Sequence, residues 1–98
     1  MVTLEIAKLH ARIDGNDEDP LLELLLQGAI AHCREYLNTP LFASEQEKGE
    51  QDGVILNADI QTAILLVFSW RYAHREDQNG VPVAAHKLLD KYRKHAGL

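Results

Sequence analysis

Apolar residues recur at helical spacing in four stretches of this chain. In the first, Leu4, Ala7 and Ala11 fall on one side, and Thr3 stands where a helix N-cap belongs. The second, residues 20 to about 37, carries a longer stripe of Leu22, Leu26, Ala29, Ile30, Cys33 and Leu37. Opposite that stripe lie Leu24, Gly28 and Ala31, flanked by Leu21. Glycine inside a helix costs about 1 kcal/mol relative to alanine. Gly28 therefore points to close approach by another backbone, inside the fold or across a subunit contact. The third stretch starts from Asn57 as N-cap, has Asp59 in its first turn and reaches about residue 76. Ile60, Ile64, Val67 and Phe68 form its stripe, but Leu65, Leu66, Trp70 and Tyr72 spread over its other faces. A helix apolar on nearly every side belongs at the centre of a core or an assembly, so Trp70 and Tyr72 are expected to be largely buried. Pro82 opens the fourth stretch, with Ala85, Leu88, Leu89 and Tyr92 inward and Lys87, Lys91 and Lys94 sharing an outer face.

The breaks between these stretches are as informative. Asn38-Thr39-Pro40 ends the second helix, because the residue before proline resists the helical region. Residues 43–53 are polar, hold two glycines and show no apolar period, which reads as a long mobile loop. Short extended pieces flank it at Leu41-Phe42 and Val54-Ile55-Leu56, and Asn79-Gly80 forms a turn before the last helix. The expected fold class is all-α: one domain over residues 1–98, a small bundle of about four helices. Its central helix is apolar, and the long polar loop joins its second and third helices. No internal repeat or heptad pattern is visible.

Composition narrows the class. An apolar share of 46% with 26% charged residues is that of an ordinary globular domain. The longest apolar run, residues 63–68, is far short of the roughly 20 residues of a membrane span, so no membrane contact is expected. The first residues lack a basic region followed by an apolar core, so no secretion signal is expected. A single cysteine excludes an internal disulfide framework and suits a reducing compartment. The net charge of −5 is divided unevenly: residues 1–62 hold 12 acidic and 4 basic side chains, residues 63–98 hold 3 and 6. The acidic total argues against non-specific nucleic-acid binding. The division (−8 against +3) means either that each helix has a solvated charged face, or that an acidic end of one copy meets a basic end of the next.

The densest chemistry lies in "RIDGNDEDPLL", where Asp14, Asp17, Glu18 and Asp19 crowd around Gly15-Asn16. Counted as a calcium loop from Asp14, positions 1, 3 and 5 are Asp14, Asn16 and Glu18. Position 6 is then Asp19 rather than glycine, and position 12 is Leu25 rather than glutamate. The same residues make a better helix corner: Gly15-Asn16 as the turn, Asp19 as N-cap, Pro20 at the first helical position and the carboxylates at the positive end of the helix dipole. Elsewhere, His10, His32, His74, His86 and His95 do not fall at ligand spacing, and one cysteine cannot complete a zinc set. His32 and Cys33 point to different helix faces, so Cys33 is expected to be a small core residue. Asp90 with Arg93 or Lys94 has the spacing of a surface ion pair. No phosphate loop or nucleophile elbow is present. Neither an enzyme activity nor a cofactor is expected.

Three segments carry a family resemblance. "TLEIAKLHARIDGNDEDPLLELLLQGAIAHCREYL" opens with a short helix, Arg-Ile-Asp, an acidic turn and a long apolar helix. "AILLVFSWRYAHRE" ends in Tyr-x-x-Arg at Tyr72 and Arg75, and "LLDKYRK" gives Leu-Leu-x-x-Tyr-Arg at Leu88, Leu89, Tyr92 and Arg93. Together, in this order, they resemble the small head–tail connector (adaptor) proteins of long-tailed bacteriophages. The chain departs from that pattern at Ala11, where a large apolar residue is usual, and at Arg71, which separates Trp70 from Tyr72. The resemblance implies a structural protein of the virion, made in the host cytoplasm and placed at the head–tail junction. It implies a head-to-tail ring of copies beneath the portal protein, in contact with a downstream head-completion or tail protein, with DNA passing through the ring channel. Leu24, Gly28 and Ala31 on one side, and Lys87, Lys91 and Lys94 on the other, are the candidate subunit or portal contacts. The alternative is a small helical protein- or DNA-binding module unrelated to virions.

Overall fold

The computed structural model of the chain describes residues 1–76 and 80–94. Asn79 of the expected turn, and His95, lie outside them. In chain order the elements are α1 (Leu4–Ala11), α2 (Asp19–Leu37), β1 (Leu41–Phe42), α3 (Glu45–Lys48), β2 (Val54–Ile55), α4 (Ala58–Ala73) and α5 (Val83–Leu89). Helix α4 packs against α1, α2 and α5, and is the centre of the bundle.

Thr3 caps α1 as its sequence position suggests, its hydroxyl accepting from the Ile6 N–H at 3.3 Å. The helix ends at Arg12, which takes the left-handed conformation (φ 58°) usually left to glycine. The Ile13 N–H then reaches back to the Lys8 carbonyl at 2.9 Å and the Arg12 N–H to that of Leu9, the paired bonds of a Schellman turn. Ile13 packs against the core as this motif's usual apolar contact, which accounts for two residues of the Arg-Ile-Asp sequence.

All six apolar positions of the α2 stripe are buried, as are Ile60, Ala63, Ile64, Val67 and Phe68 of α4. These helices meet through side chains with almost no solvent contact; Phe68 is the largest fully buried one. Ala7 from α1, Ala85 and Leu89 from α5, and Val2 and Leu41 outside the helices complete the core. No polar side chain among the described residues is buried with them. Burial also pushes the Cys33 thiol up to about 12, so it is a core residue and not a nucleophile at neutral pH.

Five expectations change. Helix α2 starts one residue earlier than proline placement suggests: Glu18 is the N-cap and makes no side-chain capping bond. Asp19, expected in that role, has its carboxylate engaged by Lys8 instead. Residues 43–53 are not one featureless loop. Ser44 caps a single helical turn, α3, by accepting from the Glu47 N–H at 3.2 Å, and the flanking strands pair in parallel with Leu41 opposite Val54 and Phe42 opposite Ile55. There are thus five helices rather than four among the described residues.

The other three changes are the ends of two helices and the burial of two aromatic residues. Helix α4 stops at Ala73, with His74 as its C-cap; the His74 N–H bonds to the Trp70 carbonyl at 2.9 Å and its ring stacks on Trp70 at 4.1 Å. Trp70 and Tyr72 are half-buried rather than enclosed. Helix α5 stops at Leu89, with Asp90 as its C-cap, and the chain continues through turns in which the Tyr92 N–H bonds to the Leu89 carbonyl. The Lys94 N–H donates to the Leu37 carbonyl at 2.8 Å and the Asn38 side-chain amide donates to the Lys94 carbonyl at 3.1 Å. The chain after α5 therefore closes over the end of α2 instead of extending the helix.

Candidate assembly surface

At the acidic corner the protein supplies its own cation. The Lys8 ammonium, on a side chain only 14% exposed, donates to Asp19 Oδ1 at 2.7 Å, to Asn16 Oδ1 at 2.9 Å and to the Gly15 carbonyl. One lysine thus fastens the end of α1 to the start of α2, with its three donors used on three acceptors. Glu18 meets Arg75 in a bidentate pair, both bonds 2.9 Å, and the Arg75 guanidinium lies 4.8 Å from the Tyr72 ring centroid. The Arg75 donors hold the Glu18 carboxyl below the usual carboxylate range. Among the described residues, Asp14 and Asp17 have no ion-pair partner. Because Lys8 occupies the centre of the oxygen cluster, millimolar calcium is expected to leave the melting temperature unchanged. A site with a dissociation constant near 10 μM would add about 2.7 kcal/mol at 1 mM, roughly 4–8 °C per kcal/mol in a domain of this size. A calcium titration followed by thermal melting checks this, and a rise of that size would overturn the corner's assignment to Lys8.

Next to the corner, the outer face of α2 is open. Leu21 and Leu24 are 58% and 69% exposed, and Ala31 is exposed further along. Leu21, Leu24, Leu25 and Arg75 line a shallow groove of about 300 Å³. Gly28 is different from its expected neighbours on this face. It is half-buried, and a Cβ there would sit 3.3 Å from the Arg71 guanidinium of the same chain. What approaches Gly28 in the folded monomer is thus a side chain from α4.

The three lysines do not lie on one helix. Lys87 is exposed on α5, but Lys91 and Lys94 follow the end of the helix. Lys91 pairs with Asp59 at 3.0 Å, and the Tyr92 hydroxyl donates to the same carboxylate at 2.9 Å. These bonds draw the segment towards the start of α4 and hold the Asp59 carboxyl below its ordinary range, Lys91 contributing most. Part of the charge division read from sequence is therefore satisfied within one chain, through Glu18–Arg75 and Asp59–Lys91. No group of three metal-ligating side chains is found among the described residues.

The residues that carried the family resemblance prove to be those that tie the elements together. Arg75, Tyr92 and Arg93 bind or cover partners on distant segments, the Arg93 guanidinium lying 4.3 Å from the Tyr36 ring centroid, while Tyr72 packs against the core beneath Arg75. The model of one protein family, described as phage gp6-like head-tail connector protein, matches residues 1–96. The chain belongs to that family. Comparison with curated proteins and with solved structures gives no match. The connector is accordingly a structural protein of the phage virion, of the class that joins head and tail, and its family is not an enzyme class. None of its described helices is long and apolar enough to cross a membrane. The motif ties were out of reach of sequence reading because each joins residues far apart in the chain: 57 positions for Glu18–Arg75 and 33 for Asp59–Tyr92.

Proposed function

We propose that the connector assembles head-to-tail into a ring beneath the portal, continuing the channel through which DNA passes and offering a platform to a head-completion or tail protein. Family membership over residues 1–96 carries the virion role. The head-to-tail arrangement rests on the unlike surfaces of one chain. The exposed Leu21–Leu24 face adjoins the acidic corner, where Asp14 and Asp17 have no ion-pair partner among the described residues, while exposed Val83 and Lys87 lie one turn apart on α5. A two-fold contact repeats each pairing reciprocally about its axis and stops at two copies. A heterologous contact pairs unlike surfaces and can close into a ring. Leu24 and Ala31 on one copy, with Lys87 and Lys94 on its neighbour, are the contact residues of this reading. Lys91 is held by Asp59, and Gly28 is covered by Arg71.

The ring contact is weak between free copies and strengthened on the portal, which presents many attachment points together. Salt weakens it as far as the charges are exposed. Electron microscopy and native mass measurement at high concentration, with and without portal, test this. The expected result is ring-sized species with portal, lost in a Leu24→Glu protein whose circular dichroism and melting temperature match the parent. Leu24→Glu is a cleaner probe than Gly28→Leu, since a leucine at 28 meets Arg71 of its own chain first. Two-fold dimers alone under all these conditions, or rings formed by Leu24→Glu, would overturn the proposal.

A further inference from the structure

Two histidines that are 54 residues apart in sequence meet where α2 and α5 touch. His32 Nε2 lies 3.0 Å from His86 Nε2. Their ring planes are within 10° of each other and the ring centroids are 5.2 Å apart. Parallel rings with centroids so far apart and nitrogens so close can only lie nearly edge to edge, each Nε2 directed at the other. The contact is therefore an N–H···N hydrogen bond rather than a stacking contact, with one nitrogen protonated and the other offering its lone pair. A metal ion does not fit the same geometry. Bonds of about 2.0–2.1 Å require both lone pairs to converge on a point beside the nitrogen–nitrogen line, whereas here they lie along it.

We infer that His32 and His86 share a single proton and form a clasp between α2 and α5, closed with one proton between the two nitrogens and opened when both nitrogens carry one. Two N–H groups cannot face each other at hydrogen-bond distance, so the second proton must part the rings. The neighbours reinforce the closed form. Tyr36 stacks on His86 at 4.0 Å with planes within 4°, and its hydroxyl donates to the Asp90 carboxylate. The Arg93 guanidinium covers Tyr36. His86 is thus held from α2 twice, by His32 and by Tyr36. The segment loosened on opening is the one from α5 to Lys94, which closes over the end of α2.

The charged and titratable groups around the pair act in both directions. From α2, Glu35 favours a charged His32; from α4, Arg71 opposes it; from the end of α5, Asp90 and Arg93 act through Tyr36. The net effect, led by burial and followed by Arg71 and His86, holds His32 below its ordinary value. The sign follows directly. A histidine depressed in the folded state contributes stability that is complete above its unfolded value of about 6.5 and is lost as pH falls through the lower folded value.

The test is made on the intact protein with ¹⁵N-labelled histidine. At about pH 7.5 one Nε2 of the pair should be protonated and the other bare, with a scalar coupling across the bond. Titration should proceed in two linked steps, the second below the ordinary value of about 6.5. Amide exchange of α5 and residues 92–94, corrected for intrinsic rates, should accelerate in that same range, by no more than about tenfold per pH unit for one proton. In a His86→Phe protein, which keeps an aromatic ring against Tyr36, that acceleration should disappear. Two imidazoles titrating independently near their ordinary value would overturn the inference. So would α5 protection that stays flat between about pH 7.5 and 5, and both readings come from the parent protein even if the variant does not fold.

Discussion

Phe68→Ala is expected to remove about 3–5 kcal/mol of folding stability. Phe68 is the largest fully buried side chain, on the helix that every long element of the bundle packs against. The loss combines the transfer of the ring's apolar surface with the void it leaves. That void is difficult to close, because Ile64 and Val67 on the same helix and Leu22 and Leu26 on α2 are already buried and fixed. A domain with about 5–15 kcal/mol in total loses a large fraction of its margin. Urea unfolding followed by the fluorescence of Trp70, the single tryptophan, measures it. Leu24→Ala is the control: that side chain is 69% exposed, and its removal should stay within about 0.5 kcal/mol. A Phe68→Ala protein as stable as the control would mean that the core is arranged differently.

The features legible in the sequence were those set by local periodicity and capping. The α2 stripe, the α4 stripe and the caps at Thr3 and Asn57 follow from spacing within one or two turns, and the structure retains them. Apolar period says nothing about a helix too short to have one. Helix α3 was missed for that reason, although Ser44 with Glu47 three residues on is the sequence of a capping box. The lysine face was over-read in the opposite way. A helical wheel was continued past Leu89, where Asp59 and the end of α2 draw Lys91 and Lys94 out of the helix.

Contacts between distant residues were the least legible. Gly28 signalled a close approach, but nothing local identifies Arg71, more than forty positions away, as the group that makes it. None of the five histidines is spaced as a ligand pair on one helix. Spacing of that kind cannot show His32 meeting His86 from two different helices. The acidic corner was read correctly as a corner, but its fastening by Lys8 and Arg75 depends on how α1 and α4 are placed. The family sequence pattern reaches further than periodicity because Arg75, Tyr92 and Arg93 have tertiary partners, which their order in the chain alone does not name.

Gly53→Ala is expected to cost about 2–4 kcal/mol, the second-largest effect among these substitutions. Gly53 stands immediately before β2 at φ 156°, and an added Cβ would lie 2.6 Å from Phe42 Cε2 and 2.7 Å from the Pro40 carbonyl oxygen. That oxygen accepts the Val54 N–H at 2.8 Å, the first bond of the parallel pairing, so it cannot move aside without breaking the pairing. The Phe42 ring could rotate, but the backbone oxygen is fixed by Leu41, which is buried in the core. Gly49→Ala separates backbone strain from collision. Gly49 has φ 57° and ψ −129°, a region left almost entirely to glycine, and nothing among the described residues lies within 4 Å of a Cβ placed there, so a conformational cost of about 1–3 kcal/mol should appear without a collision. Urea melts of the two variants give the difference, and amide exchange at Val54 and Leu56, whose N–H groups donate to Pro40 and Phe42, locates it. Loss of protection at those two amides with α2 and α4 unchanged would show that the pairing of β1 and β2 opens separately from the bundle. A Gly53→Ala protein no less stable than Gly49→Ala would show that residues 40–56 do not hold the strand pairing in solution, and that the segment connecting α2 to α4 is the mobile loop its composition suggests.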